Sequence, residues 1–62
     1  MKTARICTIK PLENLVEYQI EDEAGAILGH GYQVTIEIND ATTTAELNAA
    51  VTADATARGL LA

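Results

Sequence analysis

Apolar and polar residues alternate along the middle of the chain. In LVEYQIE, residues 15–21, every second residue from Val16 to Ile20 is apolar and the residues between them are polar. The same alternation runs through YQVTIEI, residues 32–38. Successive side chains of a strand point to opposite faces, so a period of two gives each segment one apolar and one polar face. The pattern predicts two half-buried strands, at about residues 15–21 and 26–38.

The first ten residues indicate another strand with a less regular pattern. KTARICTIK, residues 2–10, is rich in β-branched residues, which favour strands. Strict alternation would place Ala4 and Ile6 on one face and Cys7 and Ile9 on the other. PLEN, residues 11–14, is typical of a turn because proline presets a backbone angle that turns use. We expect residues 2–10 to join the other two strands; a two-stranded sheet with this segment docked elsewhere is the alternative.

The sequence DEAG, residues 22–25, separates the second and third strands. It fits a type I turn followed by a glycine in the left-handed region, which is the three-residue hairpin loop with a bulge. Such a loop determines the strand register, and the apolar pattern agrees with it. The expected facing pairs are Ile20 with Leu28, Tyr18 with His30, and Val16 with Tyr32.

Gly29 and Gly31 lie two residues apart in the third strand, and the expected register places both on the outer face of the sheet. Glycine inside a strand lowers stability, so the presence of two glycines here indicates a structural or functional requirement. A bend or bulge in an unusually long strand is one reason. Close approach of a partner's backbone is the other.

A helix is expected after the strands. TTAE, residues 43–46, matches a capping box with Thr43 at the N-cap, and Gly59 suits the position just after the helix. The helix should extend from about residue 44 to 58, with only Leu47 and Val51 as large apolar side chains on its inner face. The elements predict one α+β domain over residues 1–62: a three-stranded antiparallel β-meander followed by one C-terminal helix packed on the sheet.

Charge is distributed unevenly along the chain. The 62 residues carry a formal net charge of −5, from four Lys and Arg residues and nine Asp and Glu residues. Lys2, Arg5 and Lys10 lie in the first ten residues, and residues 11–57 contain every acid and no cation. Without a basic patch, no direct nucleic-acid partner is expected. No apolar run approaches the ~20 residues of a membrane span, so no membrane partner is expected.

Few residues in the chain are candidates for catalysis or for binding a ligand or metal. The glycine-rich GAILGHG, residues 25–31, lacks phosphate-loop spacing and leads into a strand, whereas a phosphate loop opens a helix. One histidine, His30, and one cysteine, Cys7, cannot form a multi-histidine metal site or an internal disulfide. They could act as a nucleophile and base only if the strands bring them together; a partly buried imidazole near a tyrosine hydroxyl is favoured. The sequence predicts a protein that is not an enzyme, with no catalytic residue, cofactor, metal or small-molecule substrate.

Self-association is expected from the size of the domain and its apolar face. A chain of this length buries little of its surface and is only marginally stable alone. The inner face of the sheet carries more large apolar residues than one alanine-rich helix would cover, so a homodimer or higher oligomer is predicted. The candidate self-association residues are Tyr32, Val34, Ile36, Leu47, Val51, Leu60 and Leu61.

A second candidate surface lies on the acidic outer side, where a basic protein partner could bind. A solvated, solubilising surface is the simpler interpretation of the same residues. The candidate partner contacts are Glu17, Glu21, Asp22, Glu23, Gly29, Gly31 and Glu37.

The overall plan, a short β-meander with a D-x-x-G hairpin and then an alanine- and threonine-rich helix, resembles small proteins encoded by bacteriophages and prophages. The likeness covers most of the chain and is carried by plan and composition. It implies a small structural or assembly component, or an acidic inhibitor of a host protein similar to anti-CRISPR proteins. MKTARICTIK has no apolar signal-peptide core, which favours a cytoplasmic location with Cys7 reduced. The resemblance implies that this is the bacterial cytoplasm, or that the protein is part of a virion.

Overall fold

The computed structural model describes all residues 1–62 and has the predicted α+β architecture. Three antiparallel strands in the order β1–β2–β3 form one sheet, and a helix packs on one face of it. A short 3-10 turn, Pro11–Glu13, joins the first two strands. The elements are β1 (Thr3–Lys10), β2 (Leu15–Glu21), β3 (Ile27–Thr35) and α1 (Thr44–Ala57). Because residues 3–10 pair with β2, the two-stranded alternative is wrong.

The loop between β2 and β3 has the predicted conformation. The Gly25 N–H donates to the Asp22 carbonyl at 3.1 Å, and the Asp22 N–H donates to the Ala26 carbonyl at 3.0 Å. The Asp22 carboxylate accepts from the N–H groups of Ala24 and Ala26 at 2.8 and 2.9 Å. Gly25 has φ +85°, in the left-handed region that glycine tolerates best.

Replacing Gly25 with alanine is expected to lower the free energy of unfolding by about 1 kcal/mol. A Cβ atom at this position would meet nothing within 4 Å, so the cost comes from the backbone conformation alone. Equilibrium denaturation measures it, and Ala24→Gly in the same loop is the matched control. An unchanged denaturation midpoint for Gly25→Ala would contradict the assigned turn.

The register beyond the loop differs from the prediction because β3 contains two bulges. Next to the loop, Glu21 faces Ile27, as the loop requires. One extra residue in β3 then brings Ile20 opposite Gly29, and a second brings Tyr18 opposite Tyr32. The predicted facing pairs are therefore wrong by one residue at Ile20 and by two beyond it.

The bulges move the glycines and their neighbours away from their predicted places. Gly29 faces inward with Ile20, and a Cβ atom on it would lie 2.6 Å from the Tyr32 hydroxyl oxygen. Gly31 has φ +81° and lies in the second bulge. The outer glycine strip is therefore wrong and the bulge interpretation is confirmed. Leu28, predicted to face inward, is 54% exposed.

β3 ends at Thr35, three residues before the predicted end. Asn14 has φ 51° and turns the chain into β2, so Leu15 is the first residue of β2 and faces Thr35. Residues 36–38 have no strand to pair with. Asn14 bonds to them instead, with its carbonyl accepting from the Ile36 N–H at 2.9 Å and its side-chain oxygen accepting from the Ile38 N–H at 3.2 Å.

A bulge in β1 explains its irregular pattern. Ile6 faces Tyr18, whereas Thr8 faces Glu17, so Cys7 is the extra residue. Beyond the bulge, Ile9 faces Val16 and shares the side of the sheet that bears the core. The prediction that Ile9 and Ile6 lie on opposite faces is wrong, because it assumed unbroken alternation.

The helix has the predicted boundaries to within one residue. The Thr43 hydroxyl accepts from the Glu46 N–H at 3.1 Å, which confirms the N-cap. At the other end the Leu60 N–H donates to the Ala55 carbonyl at 2.9 Å and Gly59 has a positive φ, the pattern of a Schellman motif. Arg58 is the C-cap, so the helix ends at Ala57.

The core lies between β2 and one face of α1. The buried residues are Val16, Tyr18, Ile20, Leu47, Val51 and Ala55. Partly buried apolar residues pack around them, among them Tyr32, Val34, Ile36, Leu60 and Leu61. The helix thus covers the inner face more completely than the sequence suggested. The large apolar side chains that remain exposed are Met1, Ile9, Leu12, Ile27 and Leu28.

Candidate interaction surfaces

The outer face of the sheet carries a network in which acids of β2 bind cations of β1. The Lys10 ammonium lies 3.1 Å from a Glu17 carboxylate oxygen, and the Gln33 amide donates to the same oxygen at 3.0 Å. The hydrogen bond with Glu17 raises the pKa of Lys10, and the hydrogen bonds from Lys10 and Gln33 lower the pKa of Glu17. One predicted partner contact, Glu17, is therefore already paired within the chain.

Glu21 is held in the same way. The Arg5 guanidinium lies 3.1 Å from its carboxylate, and the Gln19 amide donates to it at 2.5 Å. The thiol of the exposed Cys7 lies 3.2 Å from the Gln19 side-chain oxygen. The outer face is a row of mutually satisfied polar side chains, and its charge is close to balanced.

The remaining predicted acidic contacts have different environments. Asp22 is occupied by the amides of its own loop, and Glu23 binds the N-terminal amine. Glu37 is exposed and makes no ion pair. The exposed acids without an ion pair in this structure are Glu13, Glu37, Asp40 and Glu46.

A polar cluster that the sequence did not reveal joins α1 to the inner face of the sheet. The hydroxyl of the fully buried Tyr18 donates to an Asp54 carboxylate oxygen at 2.5 Å, and the Arg58 Nε donates to the same oxygen at 2.8 Å. The Tyr18 and Tyr32 rings stack with centroids 5.6 Å apart, and the Arg58 guanidinium lies 5.9 Å from the Tyr32 ring centroid. Burial, with the Asp54 carboxylate as the next cause, raises the pKa of Tyr18 to about 12.

The two candidate chemical residues are not brought together. Cys7 lies in β1 and His30 in β3, with β2 between them, so two strand spacings of about 5 Å separate their backbones. His30 is exposed, and the prediction of a partly buried imidazole is wrong because the bulges change its position in the sheet. No three or more His, Cys, Asp or Glu side chains are grouped so that they could hold a metal ion.

The two edges of the sheet expose backbone groups in a pattern that the register determines. In an antiparallel pair, residues alternate between bonding to the facing strand and pointing away from it. The Ile36 N–H donates to the carbonyl of Asn14, the residue before β2, so Val16 and Tyr18 in β2 also bond to β3. The residues between them bond to β1.

The open edge of β3 is obstructed. Gln33 faces Glu17, which bonds to β1, so the Gln33 carbonyl points to the open side. The Arg58 Nη2 donates to that carbonyl at 2.7 Å. The two bulges further interrupt the row of free groups. Both features are ways in which proteins prevent strand addition at an edge.

The open edge of β1 carries a single bulge, at Cys7, and no side chain of the chain binds its outward groups. Thr3, Arg5, Thr8 and Lys10 face the residues of β2 that bond to this strand. Ala4, Ile6 and Ile9 therefore direct their N–H and C=O groups to the open side, where no strand or side chain of the chain binds them. Ile9 is also 43% exposed.

No family model, curated protein or solved structure matches the chain. None of its helices combines the length and the apolar character needed to cross a lipid bilayer.

Proposed function

We propose that this protein is a non-enzymatic interaction module that acts through self-association, as a structural or assembly component of bacteriophage type. The observation that carries the proposal is the open edge of β1, with its unpaired backbone groups and the exposed Ile9. Unpaired edge groups beside apolar side chains favour pairing with another strand. The proposed location is the bacterial cytoplasm or a virion.

The distribution of exposed apolar residues supports the proposal. Leu12 is fully exposed beside the C-terminal end of β1, and Ile9 is exposed within that strand. Ile27 and Leu28 are exposed at the start of β3, near the opposite end of the sheet. Burying the exposed apolar side chains near β1 between copies would contribute about 25 cal/mol for each Å² of apolar area removed from water.

The second candidate function is an acidic inhibitor that occupies a basic surface of a host protein. The exposed carboxylates of Glu13, Glu37, Asp40 and Glu46 favour it, because none of them is paired with a cation in this chain. Glu17 and Glu21 support it less, because Lys10 and Arg5 already bind them.

Salt dependence distinguishes the two functions. In sedimentation equilibrium at micromolar to millimolar concentration, we expect a dimer whose association does not weaken between low and high salt, because salt screens the repulsion between two acidic chains. A monomer throughout that range would overturn self-association. Host-protein capture that weakens steeply with salt, by a chain that stays monomeric, would favour the inhibitor, since rim charges act through screened electrostatics.

A further inference from the structure

We infer that two copies of this chain associate by antiparallel pairing of their β1 strands around a two-fold axis beside Cys7, which makes one continuous six-stranded sheet from two three-stranded sheets. The inference rests on the proposed self-association and identifies its interface. A two-fold contact uses the same surface on both copies and closes on itself, so it forms a dimer and not a fibre.

The β1 bulge determines the register of this pairing. Hydrogen-bonded pairs across the new junction require residues whose backbone groups point outward, and near the bulge these are Ile6 and Ile9. Ile6 of one copy therefore faces Ile9 of the second copy, and the symmetry repeats this pair. Cys7 and Thr8 lie between the two pairs, next to the axis.

This register covers the exposed apolar side chain of β1. Ile6 and Ile9 both lie on the side of the sheet that bears the core, because they face Tyr18 and Val16. Pairing brings two Ile6 and two Ile9 side chains together across the junction. Ile9, 43% exposed in the single chain, would then pack against isoleucines on a continuous sheet.

Charge does not oppose β1 as the contact between copies, because residues 1–12 carry three cations and no acid. A net charge of −5 makes two molecules repel. Three of the four cations, Lys2, Arg5 and Lys10, lie in β1 or directly before it. Arg5 would face Lys10 of the second copy on the outer side, a like-charge pair that alone is unfavourable. Each cation already binds a carboxylate of its own β2, at 3.1 Å in both cases, which offsets the repulsion.

The other edge does not offer an equivalent contact. In β3 the bulges interrupt the row of free groups, and Arg58 occupies the Gln33 carbonyl. An open-ended contact of β1 with β3 of the next molecule is disfavoured for the same reason. A second copy presenting its own β1 is therefore the occupant that fits this edge.

The test is a proline at each edge. The Ile9 N–H has no partner within the chain, so Ile9→Pro removes no internal hydrogen bond but blocks the junction. We expect the dimer dissociation constant, measured by sedimentation equilibrium, to rise about tenfold or more. Ile27→Pro is the matched control: Ile27 is also exposed, and its N–H points to the open side of β3 because the adjacent Asp22–Ala26 pair is the bonded one. It should leave dimerisation unchanged.

Two further measurements test whether loss of the dimer reflects misfolding of the variant and whether the two-fold axis lies beside Cys7. Ile9→Lys keeps every backbone group and should weaken the dimer in a chain that still melts cooperatively. A short thiol-to-thiol cross-linker should join Cys7 of the two copies, whereas Cys7→Ala combined with Ala24→Cys, which moves the thiol to the hairpin loop, should not be joined.

The outcomes separate the two proposals. A wild-type monomer would overturn self-association and with it this interface. A wild-type dimer that Ile9→Pro and Ile9→Lys leave intact, or that Cys7 does not cross-link, would overturn the β1 interface alone. Loss of the dimer in both Ile9 variants, with Ile27→Pro unaffected, would establish it.

Discussion

Replacing Asp54 with alanine is expected to lower the free energy of unfolding by about 2 kcal/mol, although alanine is the better helix former. Asp54 accepts hydrogen bonds from the Tyr18 hydroxyl at 2.5 Å and from Arg58 at 2.8 Å. The Tyr18 side chain is fully buried, so without Asp54 its hydroxyl loses its partner beneath α1. A buried donor left unpaired costs roughly 1–3 kcal/mol.

The sign of the change distinguishes this contact from an ordinary helix surface position. An unpartnered aspartate in the last turns of a helix is unfavourable in intrinsic propensity and in its interaction with the helix dipole. If Asp54 made no important contact, alanine would stabilise the protein by a few tenths of a kcal/mol. Destabilisation measured by equilibrium denaturation would therefore support the hydrogen bond.

A double-mutant cycle assigns the effect to Tyr18. Tyr18→Phe removes the hydroxyl and leaves Asp54 bound to Arg58. In that background, Asp54→Ala should lower the free energy of unfolding much less than in the wild type, because no buried hydroxyl remains to lose its hydrogen-bond partner. Asp54→Asn, which retains an acceptor oxygen, should be milder than alanine. Equal costs for Asp54→Ala in both backgrounds would contradict coupling between the two side chains.

The sequence predicted correctly those parts of the fold that depend on interactions between residues close together in the chain. The Asp22–Gly25 loop depends on one carboxylate and one glycine, and the Thr43 cap depends on one hydroxyl and the N–H three residues later. Each signal lies within four residues of the structure it specifies. These features formed as the sequence indicated.

The bulges could not be read from periodicity. Alternation assumes that each residue advances the register by one, and a bulge breaks that rule at a position chosen by packing. Gly29 and Gly31 indicated that β3 was irregular but not that it contained two extra residues. In β1 the only sequence sign of a bulge was that strict alternation would place Cys7 and Ile9 on the face opposite Ile6.

The contact between Tyr18 and Asp54 could not be predicted from local sequence signals, for a different reason. The residues are 36 positions apart, and their contact depends on how α1 lies across the sheet. Alternation places Tyr18 on the apolar face of β2, and helical spacing places Asp54, three residues after Val51, beside the inner face of α1. An acid and a hydroxyl on two facing apolar surfaces were the available signal that they would bind each other.

Alkaline pH is expected to destabilise the protein through Tyr18, by about 3 kcal/mol once the pH exceeds 12. Burial raises the pKa of Tyr18 to about 12, and the Asp54 carboxylate adds to the shift by accepting the phenol proton and repelling the phenolate. The ordinary tyrosine value is near 10. The folded state thus holds this proton more tightly than the unfolded state does. The resulting stability is fully present below about pH 10 and is lost as the pH rises through 12.

Two variants make this measurement specific. In Tyr32→Phe, Tyr18 is the single remaining tyrosine, so phenolate absorbance reports its ionisation alone. We expect a midpoint near pH 12 in the folded protein and near 10 in denaturant. Lys10, whose pKa Glu17 raises, also loses its charge in alkali. Comparing stability against pH for the wild type and Tyr18→Phe cancels that contribution, and the difference between them should narrow above pH 10. A folded-state midpoint near 10 would mean that the Tyr18 hydroxyl exchanges freely with water, and that α1 does not lie over it as the Asp54 hydrogen bond requires.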